Sequence, residues 1–289
     1  MTPLCTVIVP VYEHWHLIPF LLKCLQYQTL SQEKFEVLLV DNGSTNFAPP
    51  PELPANTRIL HCAIPGSYAA RNLALQEARG EWLVFTDADC LPEAGWLEAL
   101  MQRAVNLTGP NTVLAGAVRM RASGSNPSIF EMYDLVKGIP QDWYVSRGYA
   151  VTANLAVSAK LANWLRGFEA QRFSGGDADF VRRAVADGAS LRYVPEAIVE
   201  HPARDSWQAL ATKARRIKGG QLTSGNYCQR SIWIIRTLIP PVLAWYRFLF
   251  TSTQPIRFRV LASLVQMRLW GVEMKEAVKL LFRGEAERR

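Results

Sequence analysis

Apolar runs and helical stripes alternate along the first 120 residues. Leu4–Val9 is a β-branched run closed by Pro10. From His14 to about Leu30, apolar residues at Leu17, Phe20, Leu21, Cys24 and Leu25 follow helical spacing. Phe35–Val40 is a second strand-like run that stops at Asp41, and the proline-rich residues 48–54 can only be a loop. Arg58–Cys62 predicts a third strand, Ser67–Ala78 a helix stopped near Gly80, and Glu81–Phe85 a fourth strand. Pro92 predicts a helix start running to about Val105, followed by a strand over Val113–Val118. Strands separated by helices imply an α/β fold, with parallel βαβ units in a doubly wound sheet flanked by helices.

That pattern gives three polar clusters a shared location. Tyr12-Glu13, Asp41-Asn42-Gly43-Ser44 and Asp87-Ala88-Asp89 each follow the C-terminal end of a strand. In open α/β sheets ligands bind at that edge. One such cluster is ordinarily a turn; three together point to a ligand, most simply a nucleotide. Two carboxylates closing a buried strand need a cation, hydrogen bonds or solvent, because an unpaired buried charge is costly. Asp-x-Asp offers two oxygen ligands to a hard divalent ion such as Mg²⁺ or Mn²⁺.

Composition narrows the class. The 289 residues are 49% apolar, enough for a large core and too apolar for a disordered chain. Five cysteines without a CxxC pair argue against a zinc site or a disulfide framework and fit a reducing compartment. The N-terminus shows no basic stretch followed by an apolar core, so no secretory signal is expected. Charge is uneven: from Arg204 onward there are 16 basic and 5 acidic residues, a net +11, whereas the first 203 residues carry −4. A basic tail calls for an anionic partner, phospholipid or nucleic acid. No helix-turn-helix or RRM signature accompanies it, and acidic clusters at the sheet edge do not suit a nucleic acid, so none is expected as partner.

Four blocks make the carboxylate pair specific: Val7-Ile8-Val9-Pro10-Val11-Tyr12, Leu38-Leu39-Val40-Asp41-Asn42-Gly43-Ser44-Thr45, Gly66-Ser67-Tyr68-Ala69-Ala70-Arg71-Asn72-Leu73-Ala74, and residues 78–89 ending in Asp87-Ala88-Asp89. In order and spacing they resemble the family 2 glycosyltransferases, which have the GT-A fold. The resemblance loosens toward residue 220 and does not cover the last 60 or so. It implies a nucleotide-sugar donor, UDP-linked by preference, held at the nucleoside by Pro10, Tyr12 and Asp41. It further implies that Arg71 approaches the base or diphosphate, that Asp87 faces ribose and metal, and that Asp89 is the main ligand of Mn²⁺ or Mg²⁺.

The block from Phe173 to Arg183, with Ser174-Gly175-Gly176-Asp177-Ala178-Asp179 inside it, resembles the family's Glu-Asp block. The resemblance makes Asp177 the base that deprotonates the acceptor, with Asp179 as its rival. Gly176 stands where the family usually has Glu, which puts the acceptor contacts of that Glu in doubt. Asn154 is a candidate for a sugar hydroxyl, or else a core or turn amide. His201 falls where family members often place a third metal ligand. Arg215 and Arg216, on a helix expected from about Asp205, are candidates for the diphosphate, or else a solvated basic face. The Gln-x-x-Arg-Trp motif of processive members is absent, which implies addition of a single sugar.

Ser231–Phe250 is long enough for a membrane span but is interrupted by Arg236, Pro240-Pro241 and Arg247. Amphipathic helices lying at a membrane interface are therefore expected through 229–289, with core helices as the alternative. The expected organisation is a nucleotide-sugar part over 1–115, an acceptor and catalytic-base part over 116–228, and these C-terminal helices. The activity implied is metal-dependent, inverting transfer to a lipid-linked, glycolipid or polysaccharide acceptor at the cytoplasmic membrane face. The alternatives are a polyprenyl-phosphate sugar synthase and an inactive nucleotide-binding scaffold.

Overall fold

A computed structural model describes residues 2–106, 111–172, 174–225, 227–282 and 286. In chain order the strands are β1 (Cys5–Val11), β2 (Phe35–Asp41), β3 (Thr57–His61), β4 (Trp82–Phe85), β5 (Leu91–Pro92), β6 (Thr112–Arg121), β7 (Leu155–Ser158) and β8 (Ser190–Pro202). The α-helices are α1 (Ile18–Gln26), α2 (Ser67–Glu77), α3 (Trp96–Val105), α4 (Ile129–Lys137), α5 (Gln141–Val145), α6 (Ala159–Trp164), α7 (Gly176–Ala186), α8 (Trp207–Thr223), α9 (Tyr227–Leu238), α10 (Val242–Tyr246) and α11 (Ile256–Leu281). The chain divides into two compact units. The first comprises 1–119, 140–171 and 176–201, and the second 120–139, 172–175 and 202–289.

The first unit carries a mixed sheet in the order β3-β2-β1-β4-β7-β6-β8-β5. Strands β1 to β4 pair in parallel, as the alternation of strands and helices implies. Beyond β4 the pairing turns antiparallel: β7 runs against both β4 and β6, and β5 against β8. Both faces of the sheet are covered. Val7, Val9 and Val11 pack on one side with Leu21 and Leu25 of α1 and Leu97 and Leu100 of α3. Ile8 points the other way, into a cluster with Ala70 and Ala74 of α2, Leu161 of α6 and Phe180 of α7. This double burial is why β1 and β2 read as continuous apolar runs rather than alternating ones.

Three local expectations need correction. Pro10 does not end β1; it lies inside the strand, opposite Val40. The Ile8 carbonyl accepts from Thr86 on the β4 side, and β4 itself stops at Phe85, so the N–H that Pro10 lacks has no partner to lose. Pro92 does not open a helix. It pairs with Val199 at the sheet edge, where a missing donor is tolerated, and α3 starts four residues later at Trp96. The expected helix from His14 to Leu30 is shorter: a 3₁₀ turn over Trp15–Leu17 leads into α1, with Pro19 in its first turn.

In the second unit, α4, α8 and α11 pack around Tyr133, Leu210, Ala262, Val265 and Leu269. A capping box starts α4: Ser128 accepts from the Glu131 N–H, and Glu131 accepts from the Ser128 N–H at 2.7 Å. Asp134 accepts from Arg204 Nη1 at 2.8 Å and from its backbone N–H at 3.1 Å. Trp270 on α11 donates to the Thr237 carbonyl, which fixes the end of α9.

Candidate active site

Strands β1, β2 and β4 are parallel, so their C-terminal ends open on one edge and bring the three polar clusters together. After β1, Tyr12 is 38% exposed, next to the half-buried Pro10. At the end of β2, Asp41 is buried and turned toward its own loop. Trp15 Nε1 donates to Oδ1 at 2.9 Å, and the Gly43 and Ser44 N–H groups donate to Oδ2 at 3.1 and 3.4 Å. Burial pushes this carboxyl up, but the donors from Ser44, Trp15 and Gly43 outweigh it and hold it below the usual range. Asp41 is therefore ionised at neutral pH. Exposed Tyr12 and Phe47 and the imidazole of His61 stand nearby; Phe47 packs edge-on against Trp15 and 5.0 Å from His61. Phe47 and His61 were not singled out from sequence.

Asn42 ties this loop to the next. Its Nδ2 donates to the Cys62 and Ile64 carbonyls, and its Oδ1 accepts from Gly66 N–H at 2.6 Å. Gly66 caps α2 at φ +121°, a conformation that favours glycine. From α2, the almost fully buried Arg71 reaches the turn after β4 and donates Nη2 to Asp87 Oδ1 at 2.6 Å. Its Nε is buried with no partner, a polar atom left for a bound anion to satisfy.

The register of β5 on β8 puts Leu91 opposite Glu200, which sets Asp89 and Cys90 beside His201. His201 Nε2 lies 3.9 Å from Asp89 Oδ2. One ligand atom each from Asp87, Asp89, Cys90 and His201 lie within 4.8 Å of one another. Burial raises the Cys90 thiol well above its ordinary pKa, with Asp87 and Asp89 adding to the effect. Beside this thiol, the softest donor of the four, stand two carboxylates and an imidazole. That donor set fits a hard ion such as Mn²⁺ or Mg²⁺ better than a thiolate-loving one.

Asp177 lies in the first turn of α7 and accepts from the Ala178 N–H at 2.9 Å. Burial raises its pKa, and the Asp87 charge adds to this, against opposing contributions from Ala178 and Arg71. Asp177 thus feels the charge of Asp87. Its rival Asp179 pairs with Arg183 at 3.0 Å, and Arg183 in turn donates to the Leu165 and Gly167 carbonyls, so Asp179 serves the packing of α7.

The other expectations separate. Asn154 does not face the crevice. It is wholly buried, accepts from Trp96 Nε1 at 2.8 Å and donates to the Ala117 and Ala197 carbonyls, so its amide is used up within the core and has nothing left for a sugar. Gly176 is likewise a packing residue. Its N–H donates to the Tyr68 hydroxyl at 2.9 Å, and a Cβ there would sit 2.7 Å from the Tyr68 ring. The Tyr68 hydroxyl also lies 3.5 Å from Asp177 Oδ1. A Glu side chain in place of Gly176 has no room while Tyr68 stands there, which accounts for the departure from the family pattern. Gly176→Ala should force the ring aside, lower stability by about 1–3 kcal/mol and reduce turnover, as read from melting curves and steady-state rates. Arg215 and Arg216 lie on α8 in the second unit, where Arg215 donates to Thr212 Oγ1 at 3.0 Å and Arg216 is exposed. Phe173, the first residue of the Asp177 block, lies outside the described residues.

Comparison with known proteins identifies the framework. The model of Glycosyl transferase family 2 matches residues 6–136. Glycosyltransferase AglE of Haloferax volcanii is 32% identical over 225 residues, which are 75% of this chain and 73% of the relative. The chain is a family 2 glycosyltransferase. Among solved structures, a mannosyltransferase from Pyrobaculum calidifontis in complex with GDP-Man and Mn²⁺ superposes with a TM-score of 0.61 at 18% identity, covering 99% of this chain and 89% of that one. S. aureus TarS in complex with UDP gives 0.51 at 15% identity, covering 96% and 91%. At such identities the likeness establishes the fold, and that fold is GT-A. The family 2 assignment makes this chain a transferase with a nucleotide-sugar donor, and Asp87, Asp89 and Asp177 lie in its first unit.

Proposed function

We propose that this glycosyltransferase is metal-dependent and inverting, and that it adds one sugar to a hydroxyl of a lipid-linked, glycolipid or polysaccharide acceptor. The observation that carries the reading is the convergence of Asp87, Asp89 and His201 within 4.8 Å, with Asp177 in the field of Asp87. Asp87, Asp89 and His201 would hold Mn²⁺ or Mg²⁺, which supplies positive charge against the leaving diphosphate when bound. Asp41 and Tyr12 receive the nucleoside, and an ionised Asp41 suits the N–H of uracil, so a UDP-sugar is the donor of choice. Arg71, with its unsatisfied Nε, would bind the diphosphate. Asp177 takes the proton of the acceptor hydroxyl. The acceptor oxygen then bonds to the anomeric carbon on the face opposite the breaking bond to the diphosphate, which inverts the configuration. Addition of a single sugar rests on the missing processive motif. Five free cysteines suit a cytoplasmic site of action.

The test is thermal stability with UDP, GDP, dTDP and CMP, each with Mn²⁺ and with EDTA. A ligand present at 100 times its Kd stabilises by about 2.7 kcal/mol. A strong shift with UDP, seen only with the metal, is the expected result. A shift with GDP or dTDP alone would change the donor. No shift with any nucleotide, together with no donor hydrolysis or transfer, would favour an inactive scaffold.

A further inference from the structure

The helices of the second unit are apolar on two sides, and only one side is used. On α11, Ala262, Val265 and Leu269 are buried against α4 and α8. Ile256, Val260, Leu264 and Met267 recur at helical spacing on the opposite side and are exposed, Ile256 by 65% and Leu264 by 63%. On α9 the same holds for Ile232, Ile235 and Leu238. In the connection and beyond it, Ile239, Val242, Leu243, Tyr246 and Phe250 are exposed, Leu243 by 79% and Phe250 by 71%. Large apolar side chains left in water at this density mark a surface that is covered in use.

Charge says by what. From Tyr227 to Val272 the sequence has six arginines, no lysine and no acidic residue. Arg236, Arg257 and Arg268 are exposed. No single described helix is long and apolar enough to cross a membrane. Tyr227–Leu238 and Val242–Thr251 pass that test only as a pair, bent by 62° at the Pro240-Pro241 break. Trp245 Nε1 donates to the Ser263 carbonyl and Arg259 Nη1 to the Leu249 carbonyl, so the bent pair is fastened to α11. A bent, arginine-bearing, acid-free apolar face is suited to lying in the headgroup region rather than to crossing the bilayer.

We infer that the exposed face of α9, α10 and α11 docks on an anionic lipid bilayer, with Leu243 and Phe250 inserted at the bend and the arginines on lipid phosphates. This goes beyond the catalytic reading and does not depend on it. The full-length protein is floated with vesicles of phosphatidylcholine alone and of phosphatidylcholine with 30% phosphatidylglycerol. Binding is expected only to the second, weakening as salt is raised. Leu243→Asp with Phe250→Asp, and separately Leu264→Asp with Met267→Asp, should each reduce binding at least tenfold while the melting temperature holds. Arg236→Glu with Arg257→Glu should act in the same direction. Equal binding to both vesicles, no binding to either, or a dimer in solution that the same substitutions dissociate would overturn the inference. The last result would assign the face to a second copy of the chain.

Discussion

Asp89→Ala is expected to lower turnover by about 10³-fold or more, the loss of several kcal/mol of stabilisation on the leaving diphosphate. Asp89 is half-buried and lies 3.9 Å from His201, and no lysine or arginine among the described residues is paired with it. Its neighbour Asp87, by contrast, is paired with Arg71 at 2.6 Å. The two substitutions should therefore differ in kind. Asp89→Ala removes a ligand, and the metal-dependent thermal shift with nucleotide should vanish while the protein alone melts near the wild-type temperature. Asp87→Ala also strips the buried Arg71 of its partner, so the unliganded protein should itself be destabilised, since breaking a buried pair leaves an uncompensated charge. If Asp89→Ala retains full metal-stimulated turnover, the metal reading is wrong.

Asp177→Asn should cost about 10²–10⁴ in turnover, the range for loss of a general base, with little change in nucleotide binding. The pH profile gives an independent readout. Asp177 works as a base only when deprotonated, so its contribution is present above its pKa and lost as pH falls through it. Burial raises that pKa, so the acid limb should begin above the ordinary carboxylate range and disappear in the variant. Activity that survives the substitution would point to an acceptor already ionised, the phosphate of a polyprenyl carrier, which needs no base.

Much of the site was legible because strand ends announce themselves. Asp41, Asp87 and Asp89 each stop an apolar run, and parallel pairing of β1, β2 and β4 is what places them on one edge. His201 could be read only by resemblance, because its position depends on the register of β5, two residues long and hidden behind a proline that reads as a helix start. Asn154 was misleading for a general reason. An amide that binds a sugar and one that closes a core look alike in sequence, and only the donors around it, Trp96 Nε1 above all, tell them apart. Tyr68, inside the stretch Gly66–Ala74, carries no sequence signal for a role of its own. Its hold on Gly176 and its approach to Asp177 span more than a hundred residues of chain. Of the antiparallel half, β6 was legible as the run Val113–Val118, but its direction was not, since neither it nor the four-residue β7 carries flanking hairpin chemistry.

Asn42 has a consequence for how donor choice could change. Its amide, through Cys62, Ile64 and Gly66, sets the path of the chain from β2 to α2, apart from the exposed side chains beside the loop. Tyr12, Phe47 and His61 stand exposed beside that scaffold. On the proposed reading, in which these side chains meet the base, their exchange retunes which base is accepted while α2 and Arg71 stay in place, so new donor specificities are within reach of a few substitutions, by drift or by design.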